Sequence, residues 1–77
     1  MKIYVVGIGP GDADNMTLRA HRALQASRAI VGYHVYVDLV RPRYPDKEFY
    51  TTPMTRESER CRMALELAER GKETALV

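Results

Sequence analysis

An α/β fold is predicted for this chain of 77 residues: an open, mostly parallel sheet with flanking helices. Short runs rich in β-branched and aromatic residues alternate with segments whose apolar residues recur at helical spacing. Strands separated by helices are typical of parallel β–α units, because a crossover is needed to return the chain to the same end of the sheet.

Strands are predicted at four short apolar runs, residues 2–6, 29–32, 49–52 and 73–77. A first helix is expected from near Leu18, because the segment 15–17 before it offers cap residues. Its packing face follows i, i+3, i+4 and i+7 spacing and consists of Ala20, Ala23, Leu24 and Ser27. Residues 33–40 fit a strand or a helical turn, and we favour the helical turn. Residues 41–48 contain two prolines and form the clearest predicted loop.

Thr55 is predicted to cap a further helix, since the acidic residues that follow it favour a helix amino terminus. The buried face of this helix is predicted to consist of Cys61, Ala64, Leu65 and Ala68, and Gly71 is expected to end it. Cys61 is the single cysteine, so an internal disulfide is impossible and the residue is interpreted as part of the core.

The net charge of +2 results from 12 Lys and Arg residues against 10 Asp and Glu residues. Basic residues so evenly offset by acids do not favour nucleic acid as a partner. No apolar run approaches the roughly 18 residues of a membrane span, and the one at the amino terminus is too short for a secretory signal. No cysteine–histidine grouping has zinc spacing. We therefore expect a cytoplasmic protein with no nucleic-acid, membrane or metal partner.

The most informative motif is VVGIGPGD, residues 5–12, directly after the first predicted strand. A P-loop is excluded because it requires Lys and Ser or Thr after its last glycine. A dinucleotide fingerprint is disfavoured, because it requires glycine or alanine where Asp12 stands, but it stays an alternative. A tight turn without a ligand is the simplest alternative. An acidic loop at the carboxyl end of a strand suits a positively charged ligand such as S-adenosylmethionine, which carries a sulfonium and an ammonium group.

The glycine motif, followed by Thr17-Leu18 and AIVGY at 29–33, resembles the tetrapyrrole methylase family, whose S-adenosylmethionine-dependent members methylate porphyrin and corrin precursors. VGYHVYVDLV at 31–40 resembles the branch that methylates C17 of precorrin-3B, or of its cobalt form, with ring contraction. The resemblance implies the front part of the first domain of that fold, with the cofactor between two α/β domains. It also implies cofactor contacts at Gly7, Gly9, Pro10, Gly11 and Asp12.

Ring contraction requires proton movements, and His34 is the candidate catalytic residue because it follows the second strand at its carboxyl end. A hydrogen-bonded loop histidine is the alternative, and His21 is expected to face solvent. Candidates for binding the flat, carboxylate-rich substrate are Tyr33, Tyr36, Arg41, Arg43, Thr55 and Arg56. The alternatives are core packing for Tyr36, solvated loops for the arginines and a helix cap for Thr55.

The last predicted strand stops in mid-pattern, so residues 1–77 are expected to be a partial amino-terminal α/β domain without the second domain. An unfinished sheet exposes backbone groups that favour another strand. We therefore expect a homodimer or larger self-association. The alternatives are an inactive, self-associating fragment, or a family member that acts on another corrin precursor, uroporphyrinogen, ribosomal RNA or a diphthamide precursor.

Overall fold

The computed structural model describes residues 2–7 and 16–77. They form four parallel strands and three α-helices, which confirms the predicted α/β class. In chain order the elements are β1 (Ile3–Val5), α1 (Leu18–Ala26), β2 (Ala29–Tyr33), α2 (His34–Val40), β3 (Glu48–Thr52), α3 (Glu57–Glu69) and β4 (Thr74–Leu76). A 3-10 turn, Arg41–Arg43, follows α2 within the predicted loop.

The sheet order is β1-β4-β2-β3. Thr74 in β4 is in register with both Ile3 in β1 and Ala29 in β2, and Ala29 is in register with Glu48 in β3. The four strands therefore begin at one end of the sheet and end together at the other. The last strand, β4, is interior, and the sheet edges of the described residues belong to β1 and β3.

Helices cover both faces of the sheet. On one face, Leu24 of α1 and Val40 of α2 pack with Ile30 of β2 in a fully buried cluster. On the other face, Leu67 of α3 packs against Val31 of β2. A parallel sheet covered on both faces requires apolar residues on both sides of its central strands, which explains why the predicted strands show no alternation. Each helix in the described ranges is too short or too polar to cross a bilayer.

Helix α1 begins where its sequence predicts. The Thr17 side chain accepts a hydrogen bond from the backbone N–H of Ala20 at 3.1 Å, which is the bond expected of an N-cap. Ala20, Leu24 and Ser27 are buried, so the predicted packing face is confirmed.

Helix α3 differs from the prediction at its start and on its buried face. Arg56 occupies the N-cap position, and the Thr55 hydroxyl bonds to the Met54 carbonyl, so the predicted cap is wrong. Cys61 is exposed, and Leu65 is 45% exposed, so neither belongs to the core. The buried residues are Ala64, Leu67 and Ala68.

The contacts of Arg60 explain why α3 buries a different face from the predicted one. The half-buried guanidinium of Arg60 donates to the Thr52 hydroxyl at 2.8 Å and to the Pro53 carbonyl at 3.1 Å. These bonds turn position 60 toward the end of β3, and the positions three and four residues further along follow it inward. The side chain of Leu67 is thereby buried, and that of Leu65 is left exposed.

Candidate functional site

The carboxyl ends of the strands form the candidate site. The strands are parallel and in register, so the residues that follow them lie together at one end of the sheet, which we call its carboxyl edge. These residues are Gly7 after β1, His34 after β2, Thr55 after β3 and Val77 after β4. Ligands of open α/β sheets bind at this edge, because the loops that leave the strands there diverge from one another. The structure thus brings together residues that are far apart in the sequence.

Gly7 borders a cleft of about 380 Å³ between β1 and α1. The residues that line it include Thr17, Arg19 and Ala20 on the helix. Apart from its chain neighbours, no atom of the described residues lies within 4 Å of a Cβ atom built on Gly7, so this part of the structure leaves the backbone open to a ligand. This open backbone fits a cofactor at the end of β1. The other predicted cofactor contacts, Gly9, Pro10, Gly11 and Asp12, lie outside the described residues.

Three aromatic rings cluster where β2 passes into α2. The half-buried ring of Tyr33 lies 4.7 Å from the His34 ring and 5.6 Å from the Tyr36 ring, both in edge-to-face geometry. His34 and Tyr36 are exposed, so their outer surfaces are available to a ligand. The alternative of core packing for Tyr36 is wrong, because 45% of this residue is exposed.

Thr55 lies at the end of β3 with an unusual backbone. Its φ of 71° falls in the left-handed region, which is strained for a β-branched residue. Arg56 beside it is exposed, with its Nε 4.0 Å from a carboxylate oxygen of Glu59. Such a long, exposed ion pair leaves the guanidinium able to bind another anion.

Arg41 and Arg43 lie away from the aromatic cluster, in the 3-10 turn at the other end of α2. The Arg41 guanidinium stacks 4.8 Å from the centre of the Phe49 ring, and its Nε lies 3.7 Å from the Asp38 carboxylate. Phe49 is near the beginning of β3, so Arg41 sits toward the opposite edge of the sheet. The structure therefore does not place these two arginines beside Tyr33.

His21 and Tyr44 are a pair that the sequence analysis missed. His21 is half-buried and does not face solvent as expected, since its Nδ1 lies 2.5 Å from the Tyr44 hydroxyl. Tyr44 is 4% exposed. Burial raises the pKa of its phenol, partly opposed by the positive charge of Arg43. An aromatic residue between two prolines in a charged loop is the sequence signal that could have identified it.

Large apolar residues are exposed along the same edge. Val5 at the end of β1 is 84% exposed, Leu18 at the start of α1 is 61% exposed, and Met54 after β3 is 63% exposed. Apolar surface gathered around a candidate site is typical of a binding surface. The edge thus combines open backbone at Gly7, exposed aromatic rings and apolar contacts.

Sequence comparison finds similar enzymes of corrin metabolism. The chain is 48% identical over 97% of its length to a probable cobalt-factor III C(17)-methyltransferase of Salmonella typhimurium. It is 50% identical over 88% of its length to the cobalamin biosynthesis protein CbiHC of Archaeoglobus fulgidus. These matches cover 31% and 15% of the two relatives, so the chain spans less than a third of either.

Comparison of structures agrees with this result. The fold superposes on the crystal structure of the methyltransferase CobJ with a TM-score of 0.87 and 34% sequence identity. The superposition covers 99% of this chain and 31% of that protein. Residues 2–77 match the family described as Tetrapyrrole (Corrin/Porphyrin) Methylases, and the chain therefore belongs to that family.

Proposed function

We propose that the protein containing this chain is an S-adenosylmethionine-dependent methyltransferase of cobalamin biosynthesis. The proposed reaction is methylation of C17 of precorrin-3B, or of its cobalt form, with ring contraction, in the cytoplasm. The observation that carries the proposal is the match of 97% of the chain to a relative named for C17 methylation, at 48% identity. Membership of a family of methylases implies a methyl donor.

The carboxyl edge of the sheet suits a methyl transfer in which the protein mainly positions its reactants. When bound, S-adenosylmethionine supplies a methyl group on a positively charged sulfur atom. Placing a nucleophilic carbon about 3–3.5 Å from that methyl group accounts for much of the catalysis expected. Gly7 offers its open backbone to the cofactor, and Gly9, Pro10, Gly11 and Asp12 are proposed to complete these contacts.

The aromatic cluster suits the flat substrate. Tyr33 and Tyr36 hold the macrocycle by ring contacts, and His34, exposed beside them, moves a proton during ring contraction. Arg56 is proposed to bind substrate carboxylates at the end of β3. The Thr55 hydroxyl is proposed to join it by turning its single hydrogen from the Met54 carbonyl to a substrate carboxylate. Arg41 and Arg43 are proposed for outlying carboxylates, since they lie at the other end of α2.

Substitution of His34 tests the proposed reaction. In the complete protein, His34→Gln is expected to lower kcat for ring-contracted product about 100-fold, the loss typical of a missing acid–base group. The measurement is transfer of labelled methyl groups from S-adenosylmethionine to precorrin-3B and its cobalt form, with mass analysis of the product. Cys61→Ser is the control, because Cys61 is exposed on α3. Methylation of a different precursor alone would overturn the C17 assignment and leave the other family substrates.

A second possibility applies to the 77 residues on their own. The exposed apolar surface at Val5 and the unpaired side of β1 among the described residues favour self-association without catalysis. We propose that this chain alone transfers no methyl group, since it spans 31% or less of the two relatives compared. Turnover by the purified 77-residue chain would contradict this proposal.

A further inference from the structure

Tyr44 connects the loop after α2 to the beginning of α1. Its neighbours Arg43 and Pro45 are exposed, yet Tyr44 is buried and packs with Leu24 of α1 and Val40 of α2. A buried tyrosine needs a partner for its hydroxyl. The partners that it finds define the role of the loop.

Both partners of the Tyr44 hydroxyl lie at the start of α1. The hydroxyl is 2.5 Å from Nδ1 of His21 and donates to the sulfur of Met16 at 3.8 Å. A hydroxyl has one hydrogen to donate, so both bonds form together when His21 carries a proton on Nδ1 and donates it to the Tyr44 oxygen. Tyr44 thereby holds the residue before the helix cap and a residue one turn into the helix.

Lys47 ties the same loop to the other end of α1. Its backbone N–H donates to the Tyr44 carbonyl at 3.2 Å, and its Nζ donates to the Gln25 carbonyl at 2.8 Å. The loop 44–47 is thus bonded to α1 at both its beginning and its last turn. A loop that is bonded to a helix at two points restrains the position of that helix on the sheet more than a single contact would.

The beginning of α1, to which Tyr44 is bonded, forms one wall of the cleft beside Gly7. Thr17, next to Met16, lines that cleft together with Gly7. Thr17 also caps the helix, and its carbonyl accepts the backbone N–H of His21 at 3.0 Å. A shift of Met16 or His21 would therefore be passed to Thr17 and would change the width of the cleft.

We propose that Tyr44 and His21 are positioning residues for the ligand that binds beside Gly7, acting through Met16 and Thr17. The identity of this ligand as S-adenosylmethionine rests on the proposed function. The role assigned to the pair is to hold the first turn of α1 at a fixed distance from the end of β1. Neither His21 nor Tyr44 lines the cleft itself.

The test compares two tyrosines that differ in location. Tyr44→Phe removes the hydroxyl and keeps the buried ring. Tyr50→Phe is the control, because the Tyr50 hydroxyl donates to Glu48 near the beginning of β3, away from the cleft. In the complete protein, Tyr44→Phe is expected to raise the Kd for S-adenosylmethionine about fivefold. This is the loss of the hydrogen bond to His21, since the Met16 sulfur is only a weak acceptor. Tyr50→Phe is expected to leave the Kd unchanged. Thermal denaturation of both variants separates this effect from general destabilisation.

Amide hydrogen exchange supplies a readout that does not depend on the cofactor. Tyr44→Phe is expected to speed exchange of the hydrogen-bonded amides within residues 16–21, those of Ala20 and His21, about fivefold, whereas Tyr50→Phe does not. His21→Ala should have the same effect, and His21→Asn, which keeps a donor near the Nδ1 position, should restore part of the protection.

The outcomes separate this proposal from the proposed function. If the wild-type protein does not bind S-adenosylmethionine, the proposed function fails, and exchange at residues 16–21 decides the positioning role alone. If Tyr44→Phe and Tyr50→Phe show equal Kd values and equal exchange at these residues, the positioning role is overturned. A raised Kd with faster exchange only in Tyr44→Phe supports both.

Discussion

Among the described glycines, Gly32 is the one with the least space for a side chain. A Cβ atom built there would lie 2.5 Å from Cγ2 of Val77, 2.8 Å from the Val77 carbonyl oxygen and 3.3 Å from Cγ2 of Val37. The backbone oxygen cannot move without disturbing β4, which is central in the sheet. Glycine at position 32 is what allows β4 to continue beside β2 and α2 to pack over it.

Gly32→Ala is therefore expected to destabilise the protein by about 1–3 kcal/mol, the usual cost of overpacking a core. Equilibrium urea denaturation of the complete protein measures it. Gly7→Ala is the matched control. Its Cβ atom meets nothing within 4 Å in residues 2–7 and 16–77 beyond its chain neighbours, so the change should leave stability nearly unchanged. Equal losses of stability in the two variants would contradict this account.

Thr55 stores strain at the candidate site. Asparagine tolerates the left-handed region better than a β-branched residue does, so Thr55→Asn is expected to raise stability by about 0.5–1 kcal/mol. The same change at Thr51, which is exposed in the extended backbone of β3, should lower stability instead. Thermal denaturation compares the two variants. A loss of stability in Thr55→Asn as large as that in Thr51→Asn would show that the strain is absent.

Sequence reasoning at the residue scale succeeds where a role depends on neighbours in the chain. Thr17 as a cap and Leu24 as a core residue follow from local spacing alone. The burial of Leu67 in place of Leu65 depends on Arg60 reaching the end of β3, a tertiary contact. The pairing of His21 with Tyr44 depends on a loop that folds back across α1, and no local pattern contains that information.

At the scale of elements, one carboxylate joins three strands at the end of the sheet opposite the candidate site. Glu48 at the start of β3 accepts hydrogen bonds from Lys72 at 2.7 Å, from Tyr50 at 2.8 Å and from Arg28 at 3.1 Å. Lys72 precedes β4 and Arg28 precedes β2. Glu48 thus ties the beginnings of β2, β3 and β4 together.

Acid is expected to weaken this junction. The hydrogen bonds from Lys72 and Tyr50 lower the pKa of Glu48 from 4.5 to about 2. Because the folded-state pKa is depressed, the stabilisation is fully present above pH 4.5 and is lost as the pH falls toward about 2. Glu48→Gln should therefore differ from the wild type most above pH 4.5, and the difference should shrink toward pH 2. Urea denaturation at a series of pH values measures it.

Lys72→Gln is the companion variant, because the Lys72 bond is the largest cause of the lowered pKa. Lys72→Gln should remove only part of the pH dependence of stability that Glu48 causes, since Tyr50 and Arg28 still bond to Glu48. Stability curves of both variants that run parallel to the wild type between pH 4.5 and pH 2 would exclude this role for Glu48.

The end of α3 shows what sequence can predict about an element. Gly71 has a φ of 86°, and the N–H groups of Gly71 and Lys72 bond back to the carbonyls of Ala68 and Leu67. This is the glycine-dependent helix end that the sequence predicts. The start of α3 was not predictable in the same way, because a hydroxyl residue at position 55 suggested a cap that its own backbone conformation prevents.

At the scale of the whole molecule, the parallel sheet was predictable and its strand order was not. Alternation of strands and helices predicts parallel pairing, yet β1 and β2 are not neighbours, because β4 inserts between them. The pairing of Ile3 with Thr74 joins the two ends of the chain. That long-range choice determines which strands of the described residues have an unpaired side.

Self-association of the isolated chain is expected through β1. Val5 is 84% exposed there, whereas the other edge strand, β3, carries the polar Thr51 at its surface. Val5→Lys places a charge in the proposed interface and should weaken association at least about tenfold. Thr51→Lys is the matched control and should leave association unchanged. Sedimentation velocity and light scattering over a dilution series measure the mass of each chain.

The possible masses identify the interface. A wild-type mass that falls on dilution, together with a monomeric Val5→Lys variant, places the contact at β1. Dissociation of the assembly by Thr51→Lys, but not by Val5→Lys, would place the contact at β3 instead. A monomeric wild type at every concentration would mean that the apolar surface at Val5 does not attract a second copy. The unpaired side of β1 would then be open to a strand other than one from a second copy, since a sheet edge is stabilised by whichever strand can pair with it.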